Sequence, residues 1–322
     1  MVSLESFHAK RAAIIYNPVA RRLSRSQHLL QRTIEALARH DIQAKLVGTT
    51  GPGSAGGQAR RLIEAGCDLI IAAGGDGTIN EIADGMLHTK VPLAILPGGT
   101  ANVLAREMRL PTHYQSALAR IPKLKPCRIA VGRLRLQEER PRPFLCMAGV
   151  GLDASIIGRL NLDLKALAGK FAYYVAGFSH IFRPLTEFEV TVDDRRYEAS
   201  FALISRVRNY GGDLEIARGA SLLRNDFEVV LFRGTQSIRY LPYFAGVAFG
   251  QIARFNGVTI AHGRSVVCRR PAAAPDVQVQ VDGELAGCVP MTAEIEPDAL
   301  TLLAPPEFLA REQSLHGVRE CA

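Results

Sequence analysis

The chain has 322 residues, of which 48% are hydrophobic and 22% charged, and its 39 Lys and Arg against 31 Asp and Glu give a formal charge of +8. This composition excludes a mainly disordered chain, and the length predicts two domains. The basic excess suits nucleic acid, an anionic membrane surface or an anionic substrate. Arg residues scattered by codon usage are the simpler alternative.

The cysteine spacing and the N-terminal sequence indicate the cellular compartment. The six cysteines have no C-x-x-C spacing, so neither a zinc site nor a redox motif is predicted. The N-terminus has no apolar stretch typical of a secretory signal, and no apolar run of about 18 residues predicts a membrane span. We therefore expect a cytoplasmic protein with reduced thiols.

Residues 1–127 alternate short apolar runs with helical patterns, which predicts an α/β domain with a parallel sheet. Strands are expected at 11–16, 42–47, 68–73 and 91–96, and helices at 26–39, at 56–65 and after each of the last two strands. Thr78 and Glu81 have the spacing of a capping box, so a helix is expected to start at Thr78.

From residue 128 the pattern changes to short β-type segments, and residues 128–302 are expected to form a β-rich, sandwich-like domain. The expected strands are 128–136, 143–149, 187–192, 196–204, 227–232, 258–262, 277–281 and 292–296. Asp193-Asp194 and Asp282-Gly283 predict hairpin turns. The tail, 303–322, is expected to pack back on the first domain.

Two glycine-rich loops, Gly74-Gly75-Asp76-Gly77-Thr78 and Gly98-Gly99-Thr100-Ala101-Asn102, each follow a predicted strand and open a helix. Backbone N–H groups at such a turn can hold phosphate, and the Asp76 carboxylate suits Mg²⁺ or proton transfer. The alternative is a pair of tight turns whose glycines serve packing alone.

Five motifs in order carry a family resemblance: IIYNPVA at 14–20, IIAAGGDGTINEIADG at 70–85, LPGGTANVLAR at 96–106, MAGVGLDA at 147–154 and VDGE at 281–284. Together they resemble the diacylglycerol kinase catalytic-domain family, which includes bacterial lipid kinases and the sphingosine and ceramide kinases. The resemblance implies a two-domain lipid kinase that binds ATP and Mg²⁺ in its cleft and takes the lipid on the β-rich domain.

The resemblance also assigns residues to the nucleotide. Those expected to contact ATP are Asn17, Thr49, Gly74, Gly75, Asp76, Gly77, Thr78, Asn80, Gly99, Thr100 and Asn102. Asp76 is the expected Mg²⁺ ligand. Glu284, or Asp282 two residues before it, is the expected base for the lipid hydroxyl, with Asp76 as the rival. The alternative for Asp282 and Glu284 is a surface turn with a solvated carboxylate.

The chain departs from the family pattern at two places. Val103 stands where an Asp is frequent after the second loop. Bacterial members commonly bind a structural Mg²⁺ through paired aspartates ahead of one β-strand, but the equivalent stretch here is Leu223-Arg224-Asn225-Asp226. Arg224 would repel a metal ion, so whether this second site exists is left open.

The function that follows is phosphorylation of a diacylglycerol-like or sphingoid lipid by an enzyme that docks reversibly on an anionic membrane. Aromatic segments at 171–182 and 240–255 would line the lipid cleft or pack as core, and Arg183, Arg239 and Arg254 flank them.

The alternatives to a lipid kinase are a soluble-substrate kinase resembling NAD kinase and a nucleotide- or lipid-binding regulator without turnover. Nucleic acid is not an expected partner; the acceptor lipid and homodimer formation are left open.

Overall fold

The computed structural model describes residues 9–19, 27–137, 139–151, 185–210, 215–235 and 255–316. The chain divides into two compact units, with unit 1 formed by Met1–Val131 and Pro297–Ala322 and unit 2 by Gly132–Glu296. Two long strands, β5 (Lys125–Leu136) and β16 (Met291–Ala304), contribute residues to both units. The expected domain limits at 127/128 and 302/303 therefore fall within continuous strands.

Unit 1 is an α/β unit. Besides parts of β5 and β16, its strands are β1 (Arg11–Tyr16), β2 (Gln43–Gly48), β3 (Leu69–Gly74) and β4 (Leu93–Pro97). Its helices are α1 (Gln27–Ala38), α2 (Ser54–Glu64), α3 (Asp76–Met86), α4 (Val103–Glu107), α5 (Tyr114–Leu118) and α6 (Pro306–His316), with a 3-10 turn at Ile121–Lys123.

The predicted parallel sheet of unit 1 is confirmed, with the order β2-β1-β3-β4-β16. Every residue of β3 and β4 is buried. Central parallel strands are covered on both faces, which is why they read as continuous apolar runs in the sequence. This arrangement places the carboxyl ends of β1, β2, β3 and β4 along one edge of the sheet.

Unit 2 is a β-sandwich. Its further strands are β6 (Arg142–Phe144), β7 (Met147–Gly151), β8 (Phe188–Val192), β9 (Arg195–Ala199), β10 (Phe201–Ser205), β11 (Phe227–Phe232), β12 (Val258–Gly263), β13 (Ser265–Arg269), β14 (Gln278–Val281) and β15 (Glu284–Cys288). One antiparallel set runs β16-β13-β8-β9, and the other sheet has the order β12-β11-β10-β7-β14-β15. Buried side chains of both sets form one core, which includes Phe144, Phe188 and Phe227.

Several predicted strands differ from those in the structure. The segment 196–204 splits at Ser200 into β9 and β10, which lie in different sheets, and 143–149 splits into β6 and β7. The Ser200 Oγ donates to the carbonyl of Gly234 at 2.7 Å, and no Gly or Pro marks this break in the sequence. Strands β13 and β15 and helix α6 were not predicted. Both hairpin turns are confirmed, since Val192 pairs with Arg195 and Val281 with Glu284.

Within the described ranges, no helix has the length and apolar character needed to cross a bilayer. The aromatic segment 171–182, most of 240–255, the flanking Arg183, Arg239 and Arg254, and residues 152–154 of the MAGVGLDA motif lie outside the described residues.

Candidate nucleotide-binding site and candidate base

The two glycine-rich loops of unit 1 lie side by side. Strands β3 and β4 are parallel neighbours in which Gly74 pairs with Pro97, and the Gly98 N–H donates to the Gly74 carbonyl at 2.8 Å. The ladder therefore continues one residue beyond the end of β4. Each loop begins at the same level of the sheet edge, which is where open α/β sheets bind ligands.

The backbones of the two loops touch at Gly75 and Gly99. A Cβ built on Gly99 would lie 2.6 Å from the Cα of Gly75, a distance that Cβ contacts do not reach. A side chain at Gly99 would therefore force the loops apart. Glycine is required at position 99 because the two loop backbones lie so close together. The loops therefore present backbone without side chains at this point, which a phosphate could approach.

The first loop leads directly into α3. This 11-residue helix begins at Asp76, with Gly75 as an extended N-cap at φ −88° and ψ 177°. The predicted start at Thr78 is therefore wrong by two residues. Within the described residues, no side chain caps the N-terminus of α3. Uncapped N–H groups at a helix N-terminus favour an anion.

Thr78 and Glu81 do not form a capping box. The Glu81 carboxylate instead accepts a hydrogen bond from the Ala55 N–H, at 3.2 Å, in the first turn of α2. Thr78 packs over Gly74, where a Cβ would lie 2.9 Å from the Thr78 Cβ. Both side chains thus fix the position of α3 rather than its cap.

Asp76 links the two loops. Its Oδ1 accepts a hydrogen bond from the Leu104 N–H, at 3.4 Å, in the first turn of α4. Burial raises the pKa of this carboxyl, while backbone N–H groups of Leu104, Val103 and Asn102 act in the opposite direction. The carboxylate therefore holds the start of the helix that follows the second loop.

Asn102 closes the second loop on itself. Its Oδ1 accepts the Gly99 N–H and its Nδ2 donates to the Gly99 carbonyl, each at 2.9 Å. The residue is 2% exposed and adopts a left-handed φ of 48°, a conformation that Asn tolerates well. Since the amide is engaged within the loop, its role in the described geometry is to position the loop. Thr100, by contrast, is exposed.

Asn17 and Thr49 lie at the same edge of the sheet. They follow β1 and β2, and the Thr49 N–H donates to the Tyr16 carbonyl at 2.9 Å. The Asn17 Oδ1 accepts the Val19 N–H at 3.0 Å, which turns the chain after the strand. Gly77 and Asn80 are half-buried on α3. The structure thus places all the expected nucleotide residues in unit 1 at the carboxyl edge of one parallel sheet.

One contact that positions α3 is not predicted from the sequence. A Cβ on Gly85 would lie 2.0 Å from the carbonyl oxygen of Gly56, so α2 and α3 cross with backbone against backbone. The run Ser54-Ala55-Gly56-Gly57 was the available signal, since small residues on facing helices permit such a close approach.

Asp282 and Glu284 lie in unit 2 and have different surroundings. The two carboxylate oxygens of Asp282 accept the N–H groups of Leu145, Cys146 and Met147 at 2.8–3.0 Å. Asp282 and Gly283 have φ of 47° and 86°, the positive values that a two-residue hairpin turn requires. Asp282 therefore fixes the turn to the bend between β6 and β7 and to the first residue of β7, which leaves it poorly suited to act as a base.

Glu284 opens β15 on the other side of the turn. Its side chain is 64% exposed and lies 4.0 Å from an Arg142 nitrogen. The turn thus separates the two carboxylates rather than aligning them on one regular strand. Of the two, Glu284 has the carboxylate that a substrate could reach.

Two domain families match the two halves of the chain. Residues 11–134 match the Diacylglycerol kinase catalytic domain, and residues 146–304 match the YegS C-terminal NAD kinase beta sandwich-like domain. The chain is 27% identical to the protein named Diacylglycerol kinase from Staphylococcus saprophyticus, over 87% of this chain and 91% of the relative. The protein of that name from Bacillus subtilis is also 27% identical, over 87% of this chain and 92% of the relative.

A crystal structure from Bacillus anthracis has the same fold, with a TM-score of 0.80 at 21% identity over 96% of this chain and 99% of that chain. The matched catalytic domain and the relatives named Diacylglycerol kinase support a lipid kinase. Residues 11–134 belong to the diacylglycerol kinase catalytic-domain family, as the sequence motifs indicated, and residues 146–304 form the YegS C-terminal domain.

Proposed function

We propose that the chain transfers the γ-phosphate of ATP, taken up with Mg²⁺, to the hydroxyl of a diacylglycerol-like lipid. The observation that carries this proposal is the pair of loops whose bare backbones meet at Gly75 and Gly99 beside the N-terminus of α3. Backbone N–H groups and the helix dipole there favour a phosphate chain. Because the relatives are named Diacylglycerol kinase, diacylglycerol is the first candidate acceptor, and a sphingoid lipid is the second.

The transfer needs one base and neutralised charge. The lipid hydroxyl oxygen would form the new bond to the γ-phosphorus as the bond to the leaving ADP oxygen breaks, and Glu284 would accept the hydroxyl proton. Asp76, which lies between the two loops, would supply one carboxylate to a Mg²⁺ that is held mainly by phosphates and water. When bound, that ion would neutralise charge on the phosphates.

The acceptor would be reached at a membrane surface. The formal charge of +8 favours an anionic bilayer, where each well-placed basic side chain contributes about 1 kcal/mol. Association would then weaken with added salt. Sedimentation with vesicles of neutral and of anionic lipid tests this part, and equal binding to both would contradict it.

The activity itself is tested with radiolabelled ATP and a panel of diacylglycerol, sphingoid base, ceramide, phosphatidylglycerol and NAD. NAD is included because the family matched by residues 146–304 is described as NAD kinase-like. We expect label in a lipid, with diacylglycerol first. Label in NAD alone would replace the proposal with a soluble-substrate kinase, and ATP binding without any labelled product would favour a regulator.

A further inference from the structure

The segment 222–226, ahead of β11 in unit 2, contains the stretch Leu223-Arg224-Asn225-Asp226, which is equivalent to the family's structural Mg²⁺ site. The side chain that would hold the metal is Asp226. Both of its oxygens accept hydrogen bonds from Arg224, one from Nε to Oδ1 at 2.7 Å and one from Nη2 to Oδ2. A cation is therefore already paired with this carboxylate.

The backbone of the same segment faces a second cation. Arg206 is wholly buried, and its Nη1 donates to the carbonyl oxygens of Arg224 at 2.6 Å and Asp226 at 3.0 Å. Its Nη2 donates to the carbonyl oxygen of Leu222 at 2.7 Å. Three carbonyl oxygens thus converge on one guanidinium, as they would on a metal ion.

The charges agree with this arrangement. Burial lowers the pKa of Arg206 to about 10, which leaves it protonated at neutral pH, and Asp226 acts in the opposite direction. Burial acts to raise the pKa of Asp226, but the hydrogen bonds and charge of Arg224 outweigh it and the net pKa is lowered. The carboxylate is therefore ionised and matched by guanidinium groups. A divalent ion placed there would meet two positive charges.

We propose that Arg206 and Arg224 supply from within the chain the positive charge that Mg²⁺ would bring to segment 222–226, so that unit 2 folds without a structural metal. The residues present do not fit the family's second metal site, whose existence the sequence left open. Because the inference concerns the fold of unit 2, it stands or falls independently of the proposed kinase reaction.

The direct test is thermal unfolding of the full chain, without nucleotide, in EDTA and in millimolar MgCl₂. We expect the same Tm in both, because no divalent ion contributes to the fold. Metal analysis of the dialysed protein should likewise find no stoichiometric Mg²⁺. A Tm that falls in EDTA and returns with Mg²⁺ would overturn the proposal.

Two variants at Arg224 sharpen the test. Arg224→Met removes the guanidinium and should lower Tm equally in EDTA and in MgCl₂, since the half-buried Asp226 carboxylate loses both hydrogen bonds from Arg224. Arg224→Asp places a second carboxylate beside Asp226 and should lower Tm in EDTA but recover part of the loss in MgCl₂. Two results would contradict the proposal: an Arg224→Met protein as stable as the wild type, or an Arg224→Asp protein whose Tm is the same with and without Mg²⁺.

Discussion

A Cβ atom built on Gly99 would lie 2.6 Å from the Cα of Gly75, whereas one built on Gly75 would lie 3.4 Å from the Cα of Gly99. The first distance is a clash with backbone and the second is at the lower limit of ordinary van der Waals contact. The same pair of residues therefore tolerates a methyl group on one side of the contact only. This asymmetry makes the loop contact testable by the smallest substitution available.

Gly99→Ala should weaken ATP binding about tenfold or more, because separating two packed backbone segments costs roughly 1–3 kcal/mol and 1.4 kcal/mol is a factor of ten. Gly75→Ala, whose Cβ would lie 3.4 Å from the Gly99 Cα, should have a smaller effect because the loops need not separate. Calorimetric titration with ATP and Mg²⁺ measures both affinities. Equal losses in the two variants would show that the loops do not depend on this contact.

The crossing of α2 and α3 gives a prediction about stability. Gly85→Ala would place its Cβ 2.0 Å from the Gly56 carbonyl oxygen, so the helices must separate, and we expect a loss of roughly 1–3 kcal/mol in unfolding free energy. Gly57→Ala is the control, because it is exposed on α2 and its Cβ would meet only the Arg61 side chain at 3.6 Å.

Gly57→Ala should instead stabilise the protein by about 0.5–1 kcal/mol, since Ala loses less backbone entropy in a helix. Urea unfolding of both variants measures the two free energies. If Gly85→Ala proved as stable as Gly57→Ala, the close crossing of the two helices would be wrong.

Asp282 and Glu284 should separate into a structural and a catalytic residue. Asp282→Asn replaces an acceptor oxygen with a donor facing backbone N–H groups, and we expect a loss of about 1–3 kcal/mol in stability. Glu284→Gln changes an exposed side chain, so stability should stay within about 0.5 kcal/mol.

The kinetic outcome should be the reverse. Glu284→Gln should lower kcat about 10²–10⁴-fold with little change in ATP affinity, as expected when a positioned base is lost. Asp282→Asn protein that remains folded should keep a larger share of kcat. Initial rates with the labelled lipid, taken beside thermal melts, decide the assignment; a Glu284→Gln enzyme with wild-type kcat would remove this residue from the mechanism.

What the sequence predicted and what it missed have a common physical basis. The apolar runs of β3 and β4 and the glycine-rich loops after them are local signals, and the parallel sheet with its loop edge followed from them. The strand break at Ser200 was not predictable, because both flanking segments have β-type composition and only their pairing partners differ.

Side-chain roles within the site depended on contacts distant in sequence. Glu81 has the spacing of a cap but bonds to Ala55 on another helix, and Asp282 bonds to residues more than a hundred positions away. Asp76 likewise reaches Leu104 in the next helix. Motif spacing could assign these residues to a site, but only tertiary structure distinguishes the group that holds a loop from the one that could meet a substrate.

Glu228 gives a prediction about pH. Glu228 pairs across the sheet with His262, and its side chain is 2% exposed. Burial raises the pKa of its carboxyl from 4.5 to about 7, and the charge of Asp226 acts in the same direction. The Gly219 N–H, Arg224 and Arg208 act to lower this pKa. Since the folded protein holds this proton more tightly than the unfolded chain, the stability due to Glu228 is complete below pH 4.5 and is lost as pH rises through 7.

Glu228→Gln cannot ionise, so it should match the wild type near pH 4.5 and exceed it at pH 8 by up to about 3 kcal/mol, at 1.36 kcal/mol per pKa unit. Burial lowers the pKa of His262, which is therefore neutral at pH 8 in both proteins and drops out of the comparison there. Urea unfolding across this pH range measures the difference. A constant difference between the two proteins at every pH would mean that Glu228 stays ionised in the fold.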